Sequence, residues 1–222
     1  KRRNSISPYH STNEYNFLRG VAATLGSDNF DFNLIFSANS VDATLKDGAY
    51  TSIVTTGLHN TELLLSRRRN MREYLVAANA TYSGDFYTIG CTSAFYRYDK
   101  ECGKIAKEYN KYQIYNGLWG NISLSGTISL GTLRYYGEIA IDRGLSPALL
   151  LGLIWNPIYE LEGAFQLRSY SKSYIATHSS AYSTLSSTSN QQGFNILIKW
   201  LTIRNNSLLF SGDCVYYPHS RY

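Results

Sequence analysis

Residues 118–130 read Leu118-Trp119-Gly120-Asn121-Ile122-Ser123-Leu124-Ser125-Gly126-Thr127-Ile128-Ser129-Leu130. Every second position from Leu118 is apolar or glycine, and the positions between are mostly Ser, Thr and Asn. Successive side chains of an extended strand point to opposite faces, so this is a strand with one apolar and one polar face. The next segment repeats the pattern, with Leu133, Tyr135, Gly137, Ile139 and Ile141 against Arg134, Tyr136, Glu138, Ala140 and Asp142. So does the segment that sets Tyr159, Leu161, Gly163, Phe165 and Leu167 against Glu160, Glu162, Ala164, Gln166 and Arg168. Phe30, Phe32, Leu34 and Phe36 alternate with Asp31, Asn33, Ile35 and Ser37. Less regular strands are predicted near 14–25, 73–82, 86–98, 147–156, 194–203 and 207–217, which makes about ten in all.

Alternation fits any half-buried antiparallel sheet. Two further features point to a membrane. Charges stand in mid-strand on the polar faces, at Arg134, Glu138, Glu160, Glu162, Arg168 and Lys199. In a soluble sandwich these are simply the solvent face; in a barrel they face a wet lumen and pair across strands. The connections also alternate in length. Tight turns are predicted at 26–29, 83–85, 131, 156–157 and 205–206, with longer connections near 40–70, 99–114, 143–146 and 171–192 between them. Short turns on one side and long loops on the other mark transmembrane barrels. A sandwich has no physical reason to keep that parity. Tyr15, Phe17, Tyr74, Tyr82, Tyr87, Phe95, Trp155, Tyr159, Phe194, Trp200 and Tyr216 fall near strand ends, where amphipathic rings favour the headgroup zone.

The expected fold is therefore all-β, an antiparallel transmembrane β-barrel segment occupying 1–222. By this parity the first and tenth strands both end on the long-loop side, so closure calls for more strands, about twelve or more in the whole barrel.

Composition agrees. Among 222 residues there are 20 Tyr, 4 Pro and 1 Met, and only 17% are charged, against ~25% for ordinary soluble domains. No apolar run reaches the ~20 residues of a membrane-spanning helix. The net charge of +5 is spread along the chain apart from Lys1-Arg2-Arg3 and Arg67-Arg68-Arg69. No accompanying motif points to nucleic acid. Cys91, Cys102 and Cys214 lack metal or redox spacing and read as structural thiols. No metal or cofactor is expected.

In the 40–70 connection, Asn60 or Thr61 is placed to cap a short helix through Glu62-Leu63-Leu64-Leu65, with Arg67, Arg68 and Arg69 at its end. Its leucines could plug the barrel mouth or a partner, and the arginines could hold lipid phosphates or an acidic partner; the simpler reading is a folded-back surface loop with a solvated basic end. The Ser-, Thr- and Tyr-rich 171–192 connection reads as a mobile or adhesive loop. His10, His59, His178 and His219 all fall in long-side loops, where barrel hydrolases place their catalysis. No nucleophile or zinc motif accompanies them, so an enzyme is not expected.

Asn13-Glu14-Tyr15-Asn16-Phe17-Leu18-Arg19-Gly20-Val21-Ala22-Ala23, Thr56-Gly57-Leu58-His59-Asn60-Thr61-Glu62, Gly137-Glu138-Ile139-Ala140 and Arg168-Ser169-Tyr170 carry a resemblance to the C-terminal β-barrel region of Bacteroidota helix-hairpin-helix-containing outer-membrane proteins. That resemblance implies a Gram-negative outer-membrane location and a longer parent chain. It carries over no functional residue. The expected function is a porin-like passage or a subunit of an envelope assembly, of unknown substrate. The expected partners are outer-membrane lipid and other envelope proteins. The competing reading is a soluble or surface-tethered β-sandwich that binds glycan or protein through its Tyr-rich loops.

Overall fold

The computed structural model describes residues 17–108, 110–112, 114–184, 187–201 and 206–219. His10, Tyr15, the Lys1–Arg3 run, Asn205 of the last turn and the first four residues of the resembling segment lie outside them.

Among the described residues the chain is all-β apart from one short helix. Its elements are β1 Gly20–Gly26, β2 Phe30–Val41, β3 Ala43–Lys46, β4 Ala49–Ile53, α1 Glu62–Ser66, β5 Met71–Ser83 and β6 Tyr87–Tyr98, then β7 Trp119–Leu130, β8 Leu133–Asp142, β9 Pro147–Ile158, β10 Leu161–Tyr170, β11 Gln191–Leu201 and β12 Ser207–Tyr216. All ten predicted strands form. They make one sheet in the order β1-β2-β5-β6-β7-β8-β9-β10-β11-β12, and β3 and β4 make a separate hairpin. The sheet is open, with β1 and β12 at its two ends.

Three boundaries differ from the sequence reading. β1 begins only at Gly20, and β11 begins as early as Gln191. The turn placed at Asn156-Pro157 lies instead at 159–160, because β9 runs on to Ile158. Proline is tolerated there for a local reason. The β8 ladder has already ended at the Leu133–Trp155 pair, and the register with β10 slips between Leu161 and Gly163. A bulge is where a strand can hold a residue that donates no backbone hydrogen bond.

The chain divides into two compact units, residues 1–80 with 93–121, and residues 81–92 with 122–222. In the first unit, Val21, Ala23 and Leu25 pair with Phe36, Leu34 and Phe32 on one face of β1 and β2. Thr24 and Asn33 are paired on the other face, where the Thr24 hydroxyl donates to Asn33 Oδ1 at 2.7 Å. The long 42–70 connection folds back rather than standing out. Its β3–β4 hairpin turns at Asp47 and Gly48, both with left-handed backbone (φ +51° and +80°), the conformation an Asp-Gly hairpin turn requires. The hairpin buries Ala43 and Tyr50 against Met71, Leu75, Tyr96 and Tyr98.

Helix α1 forms where expected, with Thr61 as its N-cap: its Oγ1 accepts from the Leu64 N–H at 3.2 Å. Leu63 and Leu65 are exposed, and the helix buries no residue. The buried side chains of this connection come from the hairpin instead, where Tyr50 packs edge-to-face against Tyr98.

Candidate functional site

In the second unit, cross-strand register sorts residues into two faces. One carries Tyr135, Ile139 and Ile141 of β8, Leu149, Leu151, Leu153 and Trp155 of β9, Phe165 and Leu167 of β10, Phe194, Ile196, Ile198 and Trp200 of β11, and Leu208, Phe210 and Tyr216 of β12. All but the half-buried Leu153 are exposed, and no charged residue interrupts this face on β8–β12. Five strands ~4.8 Å apart and a little over 20 Å tall present on the order of 500 Å² of apolar wall. A patch of this size is at the upper end of what soluble monomers expose, and such patches commonly mark an interaction surface. A sandwich would need a second sheet against it, and among the described residues none covers it.

The opposite face carries the charges. Arg134 and Glu138 lie on β8, Glu162 and Arg168 on β10, and Lys199 on β11. Glu162 and Lys199 are direct cross-strand neighbours. Glu138 and Arg168 both pair with Leu150 from either side. Glu160 belongs to the turn after β9, not to a strand face. Glu138, Glu162 and Lys199 are exposed.

Arg168 is different, because its side chain has no solvent exposure. Its Nη2 donates to both carboxylate oxygens of Asp213, at 2.7 and 2.9 Å. Its Nε donates to Gln191 Oε1 at 2.9 Å. The guanidinium lies over the Tyr182 ring, 4.9 Å from the centroid, a cation–π contact. The side chain reaches from β10 to β12 past Gly193, its direct neighbour on β11, which has no side chain in the way. Nη1 is buried without a hydrogen-bond partner.

This cluster holds the 171–190 connection down on the charged face. The Tyr170 hydroxyl donates to the Tyr182 carbonyl at 2.9 Å. Gln191 Nε2 donates to Thr184 Oγ1 at 2.6 Å. Asp142, itself buried, accepts the Ser146 N–H on one oxygen and the Ile175 N–H on the other, both at 2.9 Å. Tyr174 packs onto the small Ala140 and Ala148 side chains. A segment that composition marks as mobile is thus anchored by polar groups from β8, β10, β11 and β12.

Asp213, Gln191 and Tyr182 are additions to the predicted charged face, and Asp142, already on its polar side by alternation, gains a structural role. Asp142 and Asp213 share the parity of that face, but only the register reveals that Asp213 lies within reach of Arg168.

In the first unit, Arg67, Arg68 and Arg69 follow α1, with Arg68 and Arg69 exposed. No ion pair engages them among the described residues. Asp42 ties this segment down: one oxygen accepts the Arg69 N–H at 2.7 Å, and the other sits 2.6 Å from His59 Nε2. That His–carboxylate contact anchors a loop. None of Cys91, Cys102 and Cys214 is in a disulfide, and among the described residues no three His, Cys, Asp or Glu side chains gather as a metal site.

No protein-family model matches the chain, and no curated protein matches it at a significant level.

Proposed function

We propose that the chain forms part of the wall of a transmembrane β-barrel in a bacterial outer membrane, and that the barrel serves as a narrowed passage or as a subunit of an envelope assembly. The observation that carries this reading is the pairing of an uncharged, exposed apolar wall with an opposite charged face on the same five strands. Lipid on one side and water on the other is the environment such a sheet suits. The two open edges at β1 and β12 carry backbone groups that hydrocarbon would leave unsatisfied, at several kcal/mol each. In this reading further strands close the barrel.

The anchored 171–190 connection favours a narrowed passage over a wide pore, because it lies on the charged face that would line the lumen. Outer-membrane lipid is then the partner of the apolar wall. The kinship with Bacteroidota barrels rests on the short resembling segments alone.

The test is detergent extraction of envelopes containing the intact protein, followed by gel mobility with and without boiling. A detergent-dependent species that shifts on heating is the expected result. A protein that washes off without detergent and runs unchanged would overturn the proposal.

A further inference from the structure

In the first unit, the β3–β4 hairpin and the segment beginning at Gly103 enclose a cleft of about 680 Å³. Its lining includes Lys46, Asp47, Lys104, Ile105, Lys107 and Asn110. Three ammonium groups against one carboxylate give the cleft an excess of positive charge. No ion pair among the described residues engages Lys46, Lys104 or Lys107, whereas nearby Lys111 is paired with Glu108 at 2.7 Å.

Backbone interactions set the walls of the cleft. Tyr50 N–H donates to the Glu101 carbonyl at 2.9 Å, and Gly103 N–H to the Tyr50 carbonyl at 2.8 Å. Asn110 Oδ1 accepts the Lys107 N–H at 2.7 Å, and Asn110 Nδ2 donates to the Ile105 carbonyl at 3.2 Å. Gly103 is required where the walls meet, since a Cβ there would stand 2.8 Å from the Ala49 Cβ. The left-handed Asp47-Gly48 turn fixes the place of Lys46 beside it. Like charges gathered on an ordered frame repel one another until a ligand of opposite charge neutralises them. Three flexible point charges suit tetrahedral oxyanions better than a single flat carboxylate. Ile105, exposed at the cleft, offers an apolar contact beside the charges.

We infer that this cleft binds a phosphate-bearing ligand, with Lys46, Lys104 and Lys107 supplying the charge. The inference rests on the cleft alone and is independent of whether the sheet spans a membrane. Both a soluble phosphorylated molecule and a lipid headgroup carry this chemistry.

The test uses the full-length protein in neutral detergent, with amine-labelling rates at each lysine read by mass spectrometry. Two probes are compared: inorganic pyrophosphate, and phosphatidic acid doped into the micelles. Protection of Lys46, Lys104 and Lys107, but not of Lys100 and Lys111, is the expected result. Protection by pyrophosphate assigns a soluble ligand, and protection by phosphatidic acid alone assigns a headgroup. The Lys46→Gln/Lys104→Gln/Lys107→Gln variant should bind the effective probe about tenfold or more weakly, while Lys100→Gln/Lys111→Gln binds as the wild type does. Uniform protection of all five lysines, no protection by either probe at millimolar concentration, or unchanged affinity of the triple variant would overturn the inference.

Discussion

Asp213→Asn tests the buried arginine directly. The substitution keeps the size of the side chain and one acceptor oxygen, but it removes the charge that faces Arg168. The guanidinium then keeps Gln191 Oε1, the Tyr182 ring and one neutral acceptor oxygen as partners, but no counter-charge, with no access to solvent. Breaking one side of a fully buried ion pair costs ~3–5 kcal/mol. The Asp213 side chain is 24% exposed, so water recovers part of that loss and the expected cost is about 2 kcal/mol.

The loss should fall first on the 171–190 connection, because Tyr182 and Gln191 lose the charge network that fixes them. Amide exchange at Ile175, whose N–H donates to Asp142, should quicken by about thirtyfold for ~2 kcal/mol. The assay is hydrogen exchange on the detergent-solubilised protein, with a urea melt alongside it. Arg168→Met/Asp213→Asn supplies the control. With no cation left to strand, the double variant should be more stable than Asp213→Asn by roughly 1 kcal/mol or more. If Ile175 exchange is unchanged in Asp213→Asn, or if the double variant is weaker than the single one, Arg168 does not hold the connection.

Ile196→Lys places a charge at the middle of the apolar wall on β11. In a bilayer it should cost about 2–4 kcal/mol of folding stability, measured by urea unfolding in lipid vesicles; a cost within ~0.5 kcal/mol is what a water-facing site would give. At Gly152, a Cβ would lie 2.1 Å from the Tyr136 ring. Gly152→Ala should therefore swing that ring away, break the Gln166-to-Tyr136 hydrogen bond of 3.3 Å and cost about 1–3 kcal/mol in the same melt. Burial, with Cys102 beside it, raises the Tyr50 pKa above its ordinary 10.0. The raised pKa favours the neutral phenol in the folded state, so its contribution is complete below pH 10 and is lost as pH rises above that value. Between pH 9 and pH 11 the wild type should lose stability more steeply than Tyr50→Phe, and equal slopes would remove Tyr50 as the cause.

The sheet was legible because its signal is local. A strand announces itself through residues two apart, and ten segments did so, down to Leu133–Ile141 and Phe30–Phe36. The errors came where a local rule met a non-local arrangement. Pro157 reads as a turn by itself, yet it is harmless inside β9 because the neighbouring ladder has already ended at Trp155. Asp47-Gly48 is a hairpin signal that the sequence does carry, flanked by Ala43-Thr44-Leu45 and Tyr50-Thr51. The helix and arginines that follow are the more conspicuous features of this connection, yet the hairpin and not the helix supplies the buried side chains.

The candidate site was half legible for the same reason. Parity alone puts Arg168 on the charged face, but it cannot distinguish a solvated arginine from a buried one. That difference depends on three things far apart in the chain: Asp213 lies 45 positions away, Gly193 leaves the path across β11 clear, and Tyr182 arrives from a connection that composition describes as unstructured. A low-complexity loop can be ordered when the strands beneath it offer fixed donors and acceptors, because the ordering entropy is then offset by hydrogen bonds to groups that burial would otherwise leave unsatisfied. Composition reports what a segment would do alone; the Asp142, Arg168 and Gln191 side chains determine what it does here.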